Sequence, residues 1–284
     1  YLTLAYGMAG VFYIVAATAG SFAWLVAALF CTAIGMAMGT AIVGGLTLEV
    51  GRPTSLTRRY QSIQAACYYS ANLLSFLVGG WLCTHLAPDG ALKYAAAIAA
   101  VPSLLAALAA WFLVVEPKAT AIPFTRRTIP DLFGAFRSRG LFLVALFMCC
   151  WSFSPSFGTP LYFYETKVLG FSQMFIGQLG AINAFGMFIG AFVYMRFMDQ
   201  RIKPRMQTVL SVLLGTASTA AYLLLASESS AVVLEFFRGV ANIIAILTMN
   251  GLAADVSPKR LESTTMALLI SAYNIAEQLS NVAG

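Results

Sequence analysis

Nine stretches of about 20 or more largely apolar residues follow one another along the chain, at residues 2–20, 22–48, 61–86, 94–115, 140–164, 173–195, 206–226, 231–252 and 264–284. That length is what a helix needs to cross the hydrocarbon core of a bilayer. Lipid offers no hydrogen-bond partners, so a spanning segment either satisfies its own backbone as a helix or joins a closed barrel. A barrel would alternate apolar and polar residues over short segments, and these runs do not alternate. The expected fold class is therefore all-α, integral to the membrane and multi-pass. Composition agrees: 10% of the residues are charged, against roughly 25% in a soluble domain. The sequence does not open on Met, and no basic stretch with a small-residue cleavage site precedes the first run. We read it as a fragment without a removable signal peptide.

The loops set the orientation. Arg52, Arg58 and Arg59 follow the second run, and Lys118, Arg126, Arg127, Arg137 and Arg139 follow the fourth. Arg196, Arg201, Lys203 and Arg205 follow the sixth, and Lys259 and Arg260 the eighth. Fourteen of the 17 basic residues thus fall in alternate loops, leaving Lys93 and Lys167 in the others and Arg238 inside a run. The positive-inside rule makes the basic side cytoplasmic, with Tyr1 and the 117–139 loop on that face of a bacterial inner or plasma membrane. The formal charge of +6 then matches anionic inner-leaflet lipids and implies no nucleic-acid partner.

The 117–139 loop, rich in Pro and Arg, divides the runs four before and five after. Carriers built from two six-helix halves place their long cytoplasmic connection after helix six. On that template the chain holds nine of twelve helices in two pseudo-symmetric halves. Residues 1–116 correspond to helices three to six, 117–139 to the central loop, and 140–284 to helices seven to eleven. Two helices are then missing in front and one behind.

Polar residues within the runs test this reading. In the third run Gln61, Gln64, Tyr68, Asn72 and Ser75 recur every three or four positions and share one helical face. The ninth repeats the device with Thr264, Ser271, Asn274, Gln278 and Asn281. Such faces should look onto a neighbouring helix or onto water; the alternative is that they only bind helices together. The interiors of the first, fourth and seventh runs lack Asn, Gln and charge, which predicts that every third helix faces lipid. Gly35 with Gly39, and Gly186 with Gly190, have the spacing that lets helices approach closely.

Chemical motifs are scarce. There is no phosphate-binding loop and no HExxH, and the one histidine, His85, falls in a loop. Cys31, Cys67, Cys83, Cys149 and Cys150 lie in apolar runs without metal-ligand spacing. We therefore expect no catalytic residues, no metal and no cofactor, and not an enzyme. The fifth run carries Pro155, Gly158 and Pro160 within six residues, so its helix should be kinked or broken. Trp151, Tyr162 and Tyr164 flank the break and could stack on a planar heterocycle. The other reading makes Tyr162 and Tyr164 part of an interfacial aromatic belt.

Two blocks resemble a known family. PLYFYETKVLGFSQMFIGQLGAINAFGMFIGAFVY at 160–194 and AADVSPKRLESTTMALLISAYNIAEQLSNVAG at 253–284 are similar to the folate-biopterin transporter family of the major facilitator superfamily. The echoes are the aromatic run before LGFS, the Glu262-Ser263-Thr264 step, and ALLxSxxN ending at Asn274; LTLEVGR in the second run adds Glu49 and Arg52. The resemblance implies a major facilitator-like bundle working by alternating access, typically proton-coupled, whose partners are folates or related pterins, protons and membrane lipids. Where the family has two aspartates in the second run, this chain has Thr40 and Gly44. Glu277 stands where the family has a small residue. Without a basic partner on its own helix, Glu277 reads as a buried carboxylate suited to carrying a proton; Glu49 is the second candidate for proton coupling.

LEFFRG at 234–239 places Glu235 and Arg238 three positions apart, on one helical face. A lone Arg at membrane depth costs about 2.5–3.5 kcal/mol on insertion scales. We expect Arg238 to face a cavity and receive a substrate carboxylate, with Glu235 holding it in the empty state; the other reading is that both snorkel to water. Gln64, Tyr68, Trp151, Tyr162, Asn183 and Asn274 complete the expected substrate-binding set. A carrier of another organic ion or metabolite, and a non-transporting membrane sensor of the same fold, are the alternatives in function.

Overall fold

The computed structural model describes residues 1–114, 139–153, 158–199, 201–257 and 262–283. These are helical almost throughout, with no strand among the described residues. In order the helices are α1 (Leu2–Ala17), α2 (Phe22–Thr54), α3 (Thr57–His85), α4 (Pro88–Leu113), α5 (Arg139–Ser152), α6 (Gly158–Phe163), α7 (Gln173–Val193), α8 (Pro204–Ala220), α9 (Glu228–Val256) and α10 (Glu262–Ala283). Wider π-turns follow α6 at Tyr164–Val168 and α7 at Tyr194–Met198, and a tight 3-10 turn, Ala221–Leu224, follows α8.

Each apolar run contains helix, yet among the described residues five segments are long and apolar enough to cross a membrane by length and composition: Phe22–Gly51, Gly90–Leu113, Gln173–Met198, Pro204–Leu224 and Glu228–Val256. The reasons differ among the rest. Regular helix in α1 and α5 extends for 16 and 14 residues, while α3 and α10 reach 29 and 22 residues but are diluted by their polar stripes. The segment Pro204–Leu224 is the least buried of the five, as expected for the seventh run. The second run is nevertheless less buried than the fourth, so burial does not follow the period of three read from the sequence.

Two compact units form. One joins Tyr1–Leu46 to His85–Gly134, the other Thr47–Thr84 to Ala135–Gly284; the grouping does not run in chain order, because residues 47–84 go with the later part. In the first unit α1 pairs with α4 around Ala16, Ala28 and Ala96. A Cβ added to Gly35 would come within 2.6 Å of the Ala5 carbonyl oxygen, and one on Gly39 within 2.8 Å of the Tyr6 ring, so this spacing serves helix packing. Most of the 117–139 loop lies outside the described residues.

The second unit is built on α7 crossing α9. Gly186 abuts the Phe236 carbonyl, Gly190 meets Val240 and Ile243, and from the other side Gly239 abuts the Asn183 carbonyl. Around this crossing, Tyr194, Met187, Ile243 and Leu247 form one core, and Leu48, Leu141, Met249 and Leu269 another. The described residues of the fifth run form helix at Arg139–Ser152 and again at Gly158–Phe163. Pro155 falls outside the described residues. Pro160 sits in the first turn of α6, where its missing N–H would have had no partner within the helix. The LGFS step is turn chemistry: Gly170 takes a left-handed φ of +70°, which glycine adopts without strain, and the Ser172 side chain caps α7 by accepting from the Phe175 N–H at 3.2 Å.

Candidate substrate site

Why the LEFFRG carboxylate can be buried follows from its neighbours. Ser227 and Ser230 form a capping box that starts α9, so Glu235 lies two turns inside the helix. The α7 crossing then brings Asn183 against it. Asn183 Nδ2 donates to the Glu235 backbone carbonyl at 3.1 Å and to its Oε2 at 2.9 Å. The 3-10 turn after α8 adds Tyr222, whose hydroxyl donates to Oε1. Arg238 Nη1 completes the set, 3.1 Å from Oε1 and 3.1 Å from the Tyr222 hydroxyl. The Glu235 side chain is 9% exposed and Arg238 46%. A buried carboxylate is tolerable only when paired and hydrogen-bonded, and this one is held from three directions.

The guanidinium is the outward-facing member. It lies over the Tyr222 ring, 5.5 Å from the centroid, a cation–π arrangement that fixes its plane. All its hydrogen bonds among the described residues leave from Nη1. Glu235 therefore acts as a buried anchor, and Arg238 offers the rest of its planar fork.

Sequence reasoning passed over two members of this cluster. Tyr222 sits in an otherwise apolar AAYLLLA stretch and reads as membrane filler. Glu165, in the π-turn one residue past the fifth run, is buried and within electrostatic range of Glu235 and Arg238. Burial, then the neighbouring Glu235 carboxylate, push the Glu165 carboxyl above its ordinary value, against the opposing pull of Arg238. Its local signal is a lone acid two positions from Lys167 in FYETK, a pattern that any solvated helix end also shows.

The remaining candidates are spread more widely. The hydroxyl of Tyr162 accepts from Gln173 Nε2 at 2.8 Å. Trp151 packs against the Leu141 core and stands where a Cβ on Gly215 would go. Gln64 is exposed and accepts from Thr47 Oγ1 at 3.4 Å, and Tyr68 is exposed with its ring edge-on to Tyr69. Asn274 and Glu277 are exposed on α10, and Glu49 is exposed on α2. The burial expected of Glu277 is thus not found: α10 turns Met266, Leu269 and Ala276 into the core and leaves the 274, 277 and 278 side outward. Of the expected substrate-binding set, direct hydrogen bonds unite Glu235, Arg238 and Asn183.

A groove of about 250 Å³ opens between α3 and α7 against Ile63, Ala66, Cys67, Phe188, Ala191 and Phe192. Its walls are almost wholly apolar and none of the candidate side chains lines it. The hydrogen-bonded candidates gather at the Glu235–Arg238 cluster instead.

The comparisons agree with this architecture. The Major Facilitator Superfamily profile matches residues 1–280. A folate-biopterin transporter of Synechocystis sp. is 28% identical over 271 residues, which cover 89% of this chain and 53% of that protein. The chain therefore spans about half the length of this curated relative. Crystal structures of a bacterial homologue of the human lysosomal transporter Spinster superpose with TM-scores of 0.54 (inward-facing, occupied) and 0.56 (inward-facing, unoccupied), at 19% and 18% identity. They are matched over 97% of this chain and over 64% and 65% of their own lengths. The all-helical fold, the apolar runs and the profile match over nearly every residue together make this multi-pass integral membrane protein a member of the major facilitator superfamily.

Proposed function

We propose that the chain is part of a secondary active transporter, not an enzyme, that moves folate, biopterin or a related pterin by alternating access with proton coupling. The observation that carries this reading is the half-exposed Arg238 guanidinium seated on a buried, multiply hydrogen-bonded Glu235. A planar fork set on a rigid anchor suits bidentate recognition of a carboxylate, and folates carry carboxylates. The curated relative supports the pterin assignment. In this mechanism the substrate carboxylate takes the outward donors of Arg238, while Asn183 and Tyr222 keep Glu235 in place. Two halves, 1–116 and 140–284, rock about the site, with the interruption expected from the sequence at Pro155 to Pro160 as the gate and Tyr1 and the central loop in the cytoplasm. Trp151 and Tyr162 flank that interruption and offer stacking faces.

The polar stripes of α3 and α10 supply the water path. Gln64, Tyr68, Asn274, Gln278 and Asn281 are exposed, and amides facing lipid would go unsatisfied. In a background with the native cysteines replaced, Gln64→Cys and Asn274→Cys should react with a membrane-impermeant thiol reagent, and Leu269→Cys, fully buried, should not. Failure of Gln64→Cys or Asn274→Cys to react in any state would refute the placement.

Uptake of labelled folic acid and biopterin by cells expressing the complete protein tests the function. Uptake of folic acid should rise when the outside is made acidic. Glu277→Gln should blunt that rise if the exposed α10 carboxylate carries the proton, with Glu49→Gln as the parallel test. Glu277 also favours a second reading. Among the described residues no Lys or Arg pairs with it, and Tyr69 and Tyr273 lie within its electrostatic range, a setting that suits an organic cation. Uptake of a quaternary amine with none of folic acid or biopterin would select that reading.

A further inference from the structure

Glu165 is a second buried carboxylate that the Arg238 reading does not use. The π-turn Tyr164–Val168 turns it inward while Tyr164 and Lys167 on the same turn stay exposed. Leu161 and Leu169, on either side of it, pack with Tyr222 and Leu234 in one apolar cluster, which brings Glu165 beside the Glu235–Arg238 pair on α9. Tyr222 and Asn183 join the cluster through their hydrogen bonds to Glu235. Among the described residues no cation pairs with Glu165 directly, since the guanidinium is committed to Glu235. With both carboxylates ionised, the cluster carries one more negative charge than positive. Like charges sharing a desolvated site cannot both ionise freely. The Glu235 carboxylate already accepts hydrogen bonds from Asn183, Tyr222 and Arg238, whereas the Glu165 carboxyl has no side-chain partner among the described residues; Glu165 is therefore the member placed to take the proton.

We infer that Glu165 is a proton-binding residue whose protonation is linked to occupancy of Arg238 by an anion. A substrate carboxylate at Arg238 adds a further negative charge and cancels the one cation that opposes protonation of Glu165. The bound anion thus tightens the proton. By reciprocity the proton tightens the anion to the same extent, and the two enter together. This rests on Arg238 as the anion receptor, and it assigns the coupling proton to a residue other than Glu277 or Glu49.

The test uses purified full-length protein in lipid nanodiscs, with folic acid as the carboxylate-bearing probe and biopterin, which lacks a carboxylate, as its control. Folic acid affinity should fall about tenfold per pH unit above the Glu165 titration, as one linked proton requires. Biopterin affinity should stay flat. Glu165→Gln should bind folic acid with no pH slope; a slope that survives Glu165→Gln overturns the inference. Infrared titration without ligand separates this from the pterin assignment. A protonated-carboxyl band removed by Glu165→Gln, with its midpoint moved to higher pH by Arg238→Gln, supports the proton site even if folic acid does not bind, and that pairing would refute only the substrate. Absence of such a band in wild-type protein, or a midpoint that ignores Arg238→Gln, refutes the proton site. Glu165→Asp, which retains the acid, should recover a titrating band and guards against a variant that merely misfolds.

Discussion

Gly239→Val should yield protein that fails to remain monodisperse in detergent after mild heating, while Gly79→Ala behaves as wild type. Gly239 is where α9 lies closest to α7: a Cβ there would overlap the Asn183 carbonyl oxygen and come within 3.0 Å of the Met187 backbone nitrogen. Both are backbone atoms of a packed helix and cannot rotate away, so the two helices must part. Lipid gives no hydrophobic drive to push them together again, and association in a bilayer depends on this close fit. Overpacking of this kind typically costs about 1–3 kcal/mol, against a total stability of only about 5–15 kcal/mol. Gly79 has nothing within 4 Å of its would-be Cβ, so alanine there tests helix chemistry without the clash. Melting followed by size-exclusion chromatography reads the difference. Equal melting of the two variants would mean that α7 and α9 do not meet at Gly239. Parting these helices also draws Asn183 away from Glu235, so any Gly239 variant that survives should lose folate uptake along with stability.

The sequence carried the helices because their signal is periodic and long: about 20 apolar residues between Arg-bearing loops has few other readings in water or lipid. It carried Glu235 and Arg238 for the same reason, since two charges one turn apart in LEFFRG stand out against Val, Leu and Phe. Asn183 was legible as an amide in a greasy run, though its partner was not. Tyr222 and Glu165 were hidden because their roles arise from contacts 13 and 70 positions along the chain from Glu235, made by a 3-10 turn and a π-turn that no local pattern announces. Glu277 misled for the opposite reason. A carboxylate late in an apolar run reads as buried, but the helical phase set by Met266, Leu269 and Ala276 turns it outward. Length and spacing determine which face a helix has; they do not determine which neighbour that face meets.

Arg238→Ala should weaken folic acid transport by at least about thirtyfold in apparent affinity and leave biopterin nearly unchanged. Truncating one partner of a desolvated charge pair costs about 2–5 kcal/mol, and 2 kcal/mol alone is about thirtyfold. Biopterin, with no carboxylate, has nothing to lose at this position. Arg238→Lys should recover only part of the folic acid loss, because an ammonium keeps the charge but gives up the planar fork and its seat over the Tyr222 ring. Glu235→Gln discriminates further. Oε1 of Glu235 accepts from Arg238 and Tyr222, and Oε2 from Asn183 and, at 3.5 Å, from Arg238. An amide replaces one of these acceptors with an NH2 that must face a donor. Glu235→Gln should therefore release the guanidinium and lower folic acid affinity even though Arg238 is intact, which marks Glu235 as the group that positions it. Concentration-dependent initial uptake rates in the three variants, normalised to surface expression, measure these effects. If Arg238→Lys carries folic acid as well as wild type does, bidentate recognition is excluded and the cluster serves only to join α7, α9 and the turn after α8.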